Sequence, residues 1–101
     1  MENDINTSLI EGELVEIADL SNENSVCKLS VRNSTHFIDR VSGEWKANST
    51  VFSVIAEQDI ATACLKYLKK GDAVRVCGRL ARRKGHVVIV ANYVEHGTRR
   101  K

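Results

Sequence analysis

The 101-residue sequence contains no proline, a single tryptophan and only three cysteines. Those cysteines, Cys27, Cys64 and Cys77, are odd in number and far apart, which argues against a disulfide framework and against a CxxC metal site. Each lies among apolar residues, where a thiol acts as a small hydrophobic group. We therefore expect structural thiols, no metal and no cofactor.

Long apolar runs and catalytic motifs are missing as well. No run approaches the about 20 residues that cross a bilayer. The polar N-terminus has no signal stretch, so we expect a cytoplasmic protein without a membrane partner. Nucleophile elbows, P-loops, paired carboxylates and histidine-based triads are absent, and we expect no enzyme. What remains is the composition of a globular domain, with 43% hydrophobic and 28% charged residues.

The charge is unevenly distributed along the chain, although its formal net value is only +2. Residues 1–30 contain seven acidic side chains and one basic one, whereas residues 60–101 contain two acidic and eleven basic ones. Such a concentration of positive charge favours a polyanion as partner. The alternative is that these lysines and arginines merely solvate the surface, but their strand-like spacing favours the first interpretation.

Alternating apolar and polar residues predict five strands. We place them at residues 8–18, 26–33, 50–57, 73–82 and 86–95, with the stretch 33–49 as a long hairpin connection. Gly12, at the centre of the first strand, indicates a bulge or a close approach of another backbone.

One amphipathic helix is predicted between the third and fourth strands. Asp59 is the expected N-cap, Lys69 and Lys70 occupy the last turn, and Gly71 ends the helix. Three strands, one helix and two strands are the order of an OB-fold, an all-β, five-stranded, partly open antiparallel barrel with a helix between strands 3 and 4. We expect one such domain over residues 1–97, followed by a short basic tail at 98–101.

Two segments resemble bacterial single-stranded DNA-binding proteins, the SSB family. They are GEWKANSTVFSVIAEQDIATACLKYLKKGDAVRVCGRL at residues 43–80 and LSVRNSTHF at residues 29–37. The similarity covers most of residues 8–95 and is most specific at 65–80. It implies an OB-fold that binds single-stranded DNA without sequence preference, on the nucleoid, in replication, recombination or repair. It also implies a homo-oligomer, either a tetramer or a dimer.

The resemblance further suggests which residues contact DNA. Phe37 falls where the family has a base-stacking aromatic, and Trp45 lies in the same hairpin. The expected phosphate contacts are outer-face cations of the strands and the basic hairpin between strands four and five: Lys28, Arg32, Arg75, Arg79, Arg82, Arg83 and Lys84. Aromatic faces stack on any base and cations follow the phosphates, so neither contact distinguishes sequences.

Each of these assignments has an alternative. Phe37 and Trp45 could pack in a small cluster that stiffens the hairpin. Arg75 and Arg79 could pair with carboxylates of the first strand, since opposite charges across neighbouring strands stabilise a sheet. The carboxylates considered are Glu11, Glu13 and Glu16.

The sequence departs from the family pattern in three places. Val51 stands where an aromatic stacker is common, and Phe52 beside it is expected in the core or at an interface. The hairpin RRKGH is short and has no aromatic residue, which suggests weaker binding or a shorter footprint. The sequence ends at Arg99-Arg100-Lys101 rather than in an acidic, Phe-terminated extension, so recruitment of replication proteins through such a peptide is not expected.

Two other functions fit the same fold. One is a replication-restart adaptor of the same lineage, which would bind strands weakly and mainly dock another replication protein. The other is an RNA-binding OB module, since such folds also accept RNA. Competition between matched DNA and RNA oligomers separates the RNA-binding module from the adaptor and from the single-stranded DNA-binding protein.

Overall fold

Five strands and one helix make up the part of the chain that the computed structural model describes, residues 4–21 and 25–97. They are β1 (Ser8–Asp19), β2 (Val26–Ile38), β3 (Trp45–Glu57), α1 (Gln58–Tyr67), β4 (Ala73–Arg83) and β5 (His86–His96). The strands close a barrel in the order β1-β2-β3-β5-β4. This confirms the predicted OB-fold, with its helix between the third and fourth strands. The predicted basic tail at 98–101 lies outside the described residues.

The barrel is closed rather than partly open, but one of its seams is short. The parallel pairing of β3 with β5 contains two residue pairs, Val54 with Ile89 and Ile55 with Val90. The other neighbouring strands are antiparallel and share longer ladders. β3 and β5 therefore separate at either end of a narrow contact.

Inward-facing apolar side chains of all five strands form the core, and α1 covers one end of it. The fully buried strand residues include Leu14, Leu29, Val31, Val54 and Val76. Burying side chains of this size contributes about 1.5–3 kcal/mol each. Among the described residues, no helix has the length and apolar character needed to cross a bilayer.

Two of the three cysteines belong to this core. Cys27 of β2 and Cys64 of α1 are buried, whereas Cys77 of β4 is half-buried. The contact with Cys27, together with burial, raises the pKa of the Cys64 thiol. Because the thiolate is the reactive form, Cys64 is held unreactive and serves as a packing residue.

The expected close backbone approach at Gly12 is present. A Cβ atom at this position would lie 2.1 Å from the carbonyl oxygen of Arg32 on β2. Glycine, which has no Cβ atom, avoids this clash. Gly78 is placed in the same way against the carbonyl oxygen of Val90, at 2.2 Å. The register shift between β1 and β2 lies at Leu14–Glu16 instead of at Gly12.

The prediction of a connection at residues 33–49 is wrong for most of its length. The β2–β3 ladder runs without a register shift from Val26 and Glu57 to Ile38 and Trp45, and only residues 39–44 form the turn. A pair of serine hydroxyls supports this ladder across the strands, with Ser34 Oγ 3.0 Å from Ser49 Oγ. We call residues 33–50, which extend beyond the barrel, the arm.

The helix also differs from its prediction at both ends. Its N-cap is Glu57 rather than Asp59, because β3 runs directly into α1 without a spacer, and Asp59 lies in the first turn. Leu68 has extended backbone angles, so the helix ends at Tyr67 and only Lys66 lies in its last turn. Lys69 and Lys70 follow the helix, where the carboxylate of Asp72 accepts the Lys69 backbone N–H at 2.9 Å.

Candidate nucleic-acid interface

The β2–β3 register decides which side chains share a face. Cross-strand partners lie on the same face of a sheet, and successive residues alternate between faces. Val31 and its partner Phe52 point toward the core side, which we call the inner face; Arg32 and its partner Val51 point outward. The outer face continues along the arm to the Ile38–Trp45 pair.

The two aromatic residues of the arm therefore point in opposite directions. Trp45 is on the outer face and is 71% exposed, whereas Phe37 pairs with Lys46 on the inner face and is 45% exposed. Neither is packed into the core cluster. Their exposure leaves both rings open to a ligand, but a ligand on a single face meets only one of them.

A groove of about 800 Å³ separates β3 from the β4–β5 hairpin. Its apolar lining includes Val51, Phe52, Ile55, Val88 and Ile89. Its basic lining consists of Lys28, Arg83, Lys84 and His86. An apolar floor with cations at its rim has the chemistry needed to receive bases and phosphates together.

The groove cations have few anionic neighbours. Within residues 4–21 and 25–97, Lys28 and Lys84 form no ion pair, and Arg83 approaches Glu57 only to 3.9 Å. Lys84 occupies the hairpin turn with a positive φ of 51°, is followed by Gly85 with a φ of 82°, and is exposed. These charges are available for an incoming polyanion.

Arg79 and Arg82 extend the positive charge of the β4–β5 hairpin. Both are exposed, and neither forms an ion pair with a described carboxylate. Arg79 pairs across the ladder with Val90, and Arg82 with Val87. Alternation along β4 places Arg79 and Arg83 on one face and Arg82 on the other.

A second cavity, of about 820 Å³, lies on the other side of the barrel, beside β1 and β4. We call it the paired pocket, because its arginines are held by carboxylates. Arg75 donates to Glu11 Oε2 at 2.8 and 3.1 Å, and Glu95 lies 3.8 Å from it. Arg32 contacts Glu13 at 3.4 Å. The hydrogen bonds that Arg75 donates to Glu11 raise the pKa of the arginine, which is therefore already paired with an anion.

Comparison with known proteins shows to which family the chain belongs. The model of the single-strand binding protein family matches residues 5–88. The chain belongs to this family. The proteins of the family bind DNA and are not enzymes.

Solved structures agree with the family assignment. An SSB from Plasmodium falciparum in complex with ssDNA is 25% identical, with a TM-score of 0.76, over 94% of this chain and 95% of that one. A small single-stranded DNA-binding protein from Streptomyces coelicolor is also 25% identical, with a TM-score of 0.71, over 96% of each chain. PriB from Ralstonia solanacearum is 17% identical, with a TM-score of 0.66, over 94% of this chain and 100% of that one. The likeness to PriB shows the fold alone.

Within this single-strand binding protein, the structure separates the predicted site residues into three groups. Lys28, Arg83 and Lys84 meet at the groove, with Arg79 and Arg82 on the adjoining hairpin and Trp45 farther along the outer face. Arg32 and Arg75 lie in the paired pocket. Phe37 lies on the inner face of the arm.

An aromatic ring and an imidazole of the groove were not among the predicted contacts. Phe52 was expected in the core or at an interface; it is half-buried, at the last inward position of β3 before the arm, and lines the groove. His86 lines the groove opposite Arg83 in the β4–β5 ladder. The position of Phe52 at the end of the alternating apolar pattern was the available signal.

Proposed function

We propose that this chain binds single-stranded DNA without sequence preference, along the groove and the outer face of β2 and β3. The observation that carries the proposal is the groove itself, where an apolar floor meets Lys28, Arg83 and Lys84 with little competition from carboxylates. The ssDNA complex of the Plasmodium falciparum relative supports it. Unpaired bases stack on exposed rings at about 1–3 kcal/mol each, a contribution that duplex DNA does not offer.

The proposed role is to coat strands exposed during replication, recombination or repair. Trp45 lies six residues before Val51 on the same strand, so a ligand reaching from the groove to its ring spans about 20 Å of β3. Contacts over this length protect several nucleotides at once. Such coating takes place on cellular DNA, at the nucleoid, beside the replication and repair proteins that act on the same strands.

A fluorescence titration tests this function, because Trp45 is the only tryptophan in the sequence. Oligothymidine should quench its emission, and the affinity should fall with salt by roughly 0.7 log units per phosphate contact for each tenfold increase. Duplex DNA of the same length, and an RNA oligomer of matched sequence, serve as controls. Equal affinity for duplex and single strands at the same salt concentration would contradict the proposal. A preference for RNA would favour an RNA-binding module instead.

We also propose that the chain self-associates through the outer face of β1, β4 and β5. Leu9, Cys77 and Tyr93 are consecutive cross-strand neighbours there, and Leu9 and Tyr93 are 62% and 46% exposed. The adjoining row, Glu11–Arg75–Glu95, alternates in sign and can complement a copy of itself related by a two-fold axis.

Sedimentation equilibrium tests the self-association and separates dimer from tetramer. Tyr93→Glu should shift the protein to monomer, because a carboxylate replaces apolar contact beside Glu95 and Glu11. Tyr67→Glu, at an exposed tyrosine on α1, is the matched control and should leave the oligomer unchanged. If the Tyr93→Glu variant has the same oligomer molar mass as the wild type, the interface lies elsewhere.

A further inference from the structure

The arm has two faces, and neither of its two edges pairs with a third strand among the described residues, because the β1–β2 ladder ends at Arg32. β3 pairs with β5 only at Val54 and Ile55, so residues 45–53 have no strand neighbour on the side away from β2. The groove runs along this edge, and its lining contains both the outward Val51 and the inward Phe52. A ligand that leaves the groove along β3 can therefore reach either face.

Charge distinguishes this edge from the opposite one. The β2 edge of the arm borders the paired pocket, whose lining includes Ser34 together with the carboxylates Glu11 and Glu13. Arg32 and Arg75 lie in the same pocket, but the carboxylates already pair with them, so a phosphate must compete for these arginines. The β3 edge instead leads from the groove cations to the arm turn, where Arg40 is exposed and has no ion pair with a described carboxylate.

We propose that single-stranded DNA crosses the free edge of β3 and stacks bases on both faces of the arm, on Trp45 at the outer face and on Phe37 at the inner face. This inference rests on the proposed DNA binding and adds the path of the strand. Lys46, beside Phe37, is engaged by Asp39 at 2.8 Å, so the inner face offers chiefly the phenylalanine ring. Lys28 lies on the outer face, so the DNA occupies this face first.

The path makes a prediction about length. Trp45 should be reached by oligothymidines that fill the groove and the outer face, whereas Phe37 should be reached only when additional nucleotides cross the edge. A protein with Trp45→Phe and Phe37→Trp moves its single tryptophan to the inner face while both positions keep a ring. Its emission should be quenched only by oligomers longer than the shortest ones that quench the wild type.

Affinity measurements at each length complete the test. Trp45→Ala should weaken binding about 5- to 150-fold at all lengths that bind, the range expected for one stacked base. Phe37→Ala should weaken binding by a factor in this range for long oligomers only, and Phe37→Tyr should restore it because the ring is retained. Val41→Ala, at a 97% exposed apolar residue of the arm turn, is the control and should change nothing.

The outcomes separate this inference from the function on which it rests. If the wild type fails to bind oligothymidine, the proposed function is wrong. If the wild type binds and Trp45 is quenched, while the inner-face tryptophan is quenched at the same length or at none, the strand stays on one face and only the crossing is wrong. Circular dichroism and thermal unfolding of every variant show whether it is folded.

Discussion

The groove and the paired pocket have nearly the same volume, about 800 and 820 Å³, yet they differ in what surrounds their cations. In the paired pocket, Arg75 is hydrogen-bonded to Glu11, and Arg32 is paired with Glu13. In the groove, Lys28 and Lys84 have no described carboxylate partner. The position of an arginine on a strand therefore says little about its role, because the nearest anion decides whether the arginine is free to bind a phosphate.

The largest expected effect comes from removing the groove cations together. Replacing Lys28, Arg83 and Lys84 with alanine should reduce oligothymidine affinity on the order of 100-fold at low salt, taking about 1 kcal/mol for each contact. The slope of log affinity against log salt concentration should fall by roughly 2, since each lost phosphate contact accounts for about 0.7. Titrations at two salt concentrations measure both quantities. An unchanged slope would show that phosphates do not lie in the groove.

Gly12→Ala tests whether the paired pocket is structural. The new Cβ would lie 2.1 Å from the Arg32 carbonyl oxygen, so the β1–β2 contact must shift. We expect a loss of about 1–3 kcal/mol in the free energy of unfolding, and thermal denaturation should show it as a lower midpoint. Gly97→Ala is the control, because its Cβ would make an ordinary 3.4 Å contact with Ala73. Folded Gly12→Ala protein should keep its DNA affinity. A loss of DNA affinity in the folded variant would show that the paired pocket is part of the binding site.

The smallest and sharpest comparison exchanges one arginine on each side of the barrel. Arg83→Ala should weaken DNA binding severalfold, on the order of the 1 kcal/mol of one phosphate contact. Arg75→Ala should change DNA affinity little, because its guanidinium is already bound to Glu11, and it should change stability little, because solvent screens an exposed ion pair. Equal losses of DNA affinity in the two variants would show that the two cavities form one binding surface.

Alternation and turn chemistry were enough to predict the barrel. Each strand carries a local period-two pattern, α1 carries an apolar stripe, and the order of elements leaves few topologies. The arm was not predicted because apolar and polar residues do not alternate regularly along it: serine, threonine and asparagine there are held by the partner strand, which local hydrophobicity does not report. The N-cap was misplaced because β3 continues to the first residue of α1.

The candidate site was predictable only in part, because it depends on contacts between distant segments. The basic hairpin at 82–84 is local, so its cations could be predicted as contacts from the sequence, and that assignment stays a prediction. The pairing of Arg75 depends on the β1–β4 register, which sets Glu11 opposite it, and could be raised only as an alternative. Whether Phe37 and Trp45 share a face depends on the register across the arm turn, which a shift of one residue would reverse.

The brief seam between β3 and β5 has a consequence for selectivity. Just two residue pairs join β3 to β5, so a change in the width of the groove beyond them breaks no further hydrogen bond of this ladder. We expect a cleft joined in this way to admit the larger purines and the smaller pyrimidines at similar cost. The proposed indifference to base identity then depends on how the walls are joined as much as on the chemistry that lines them.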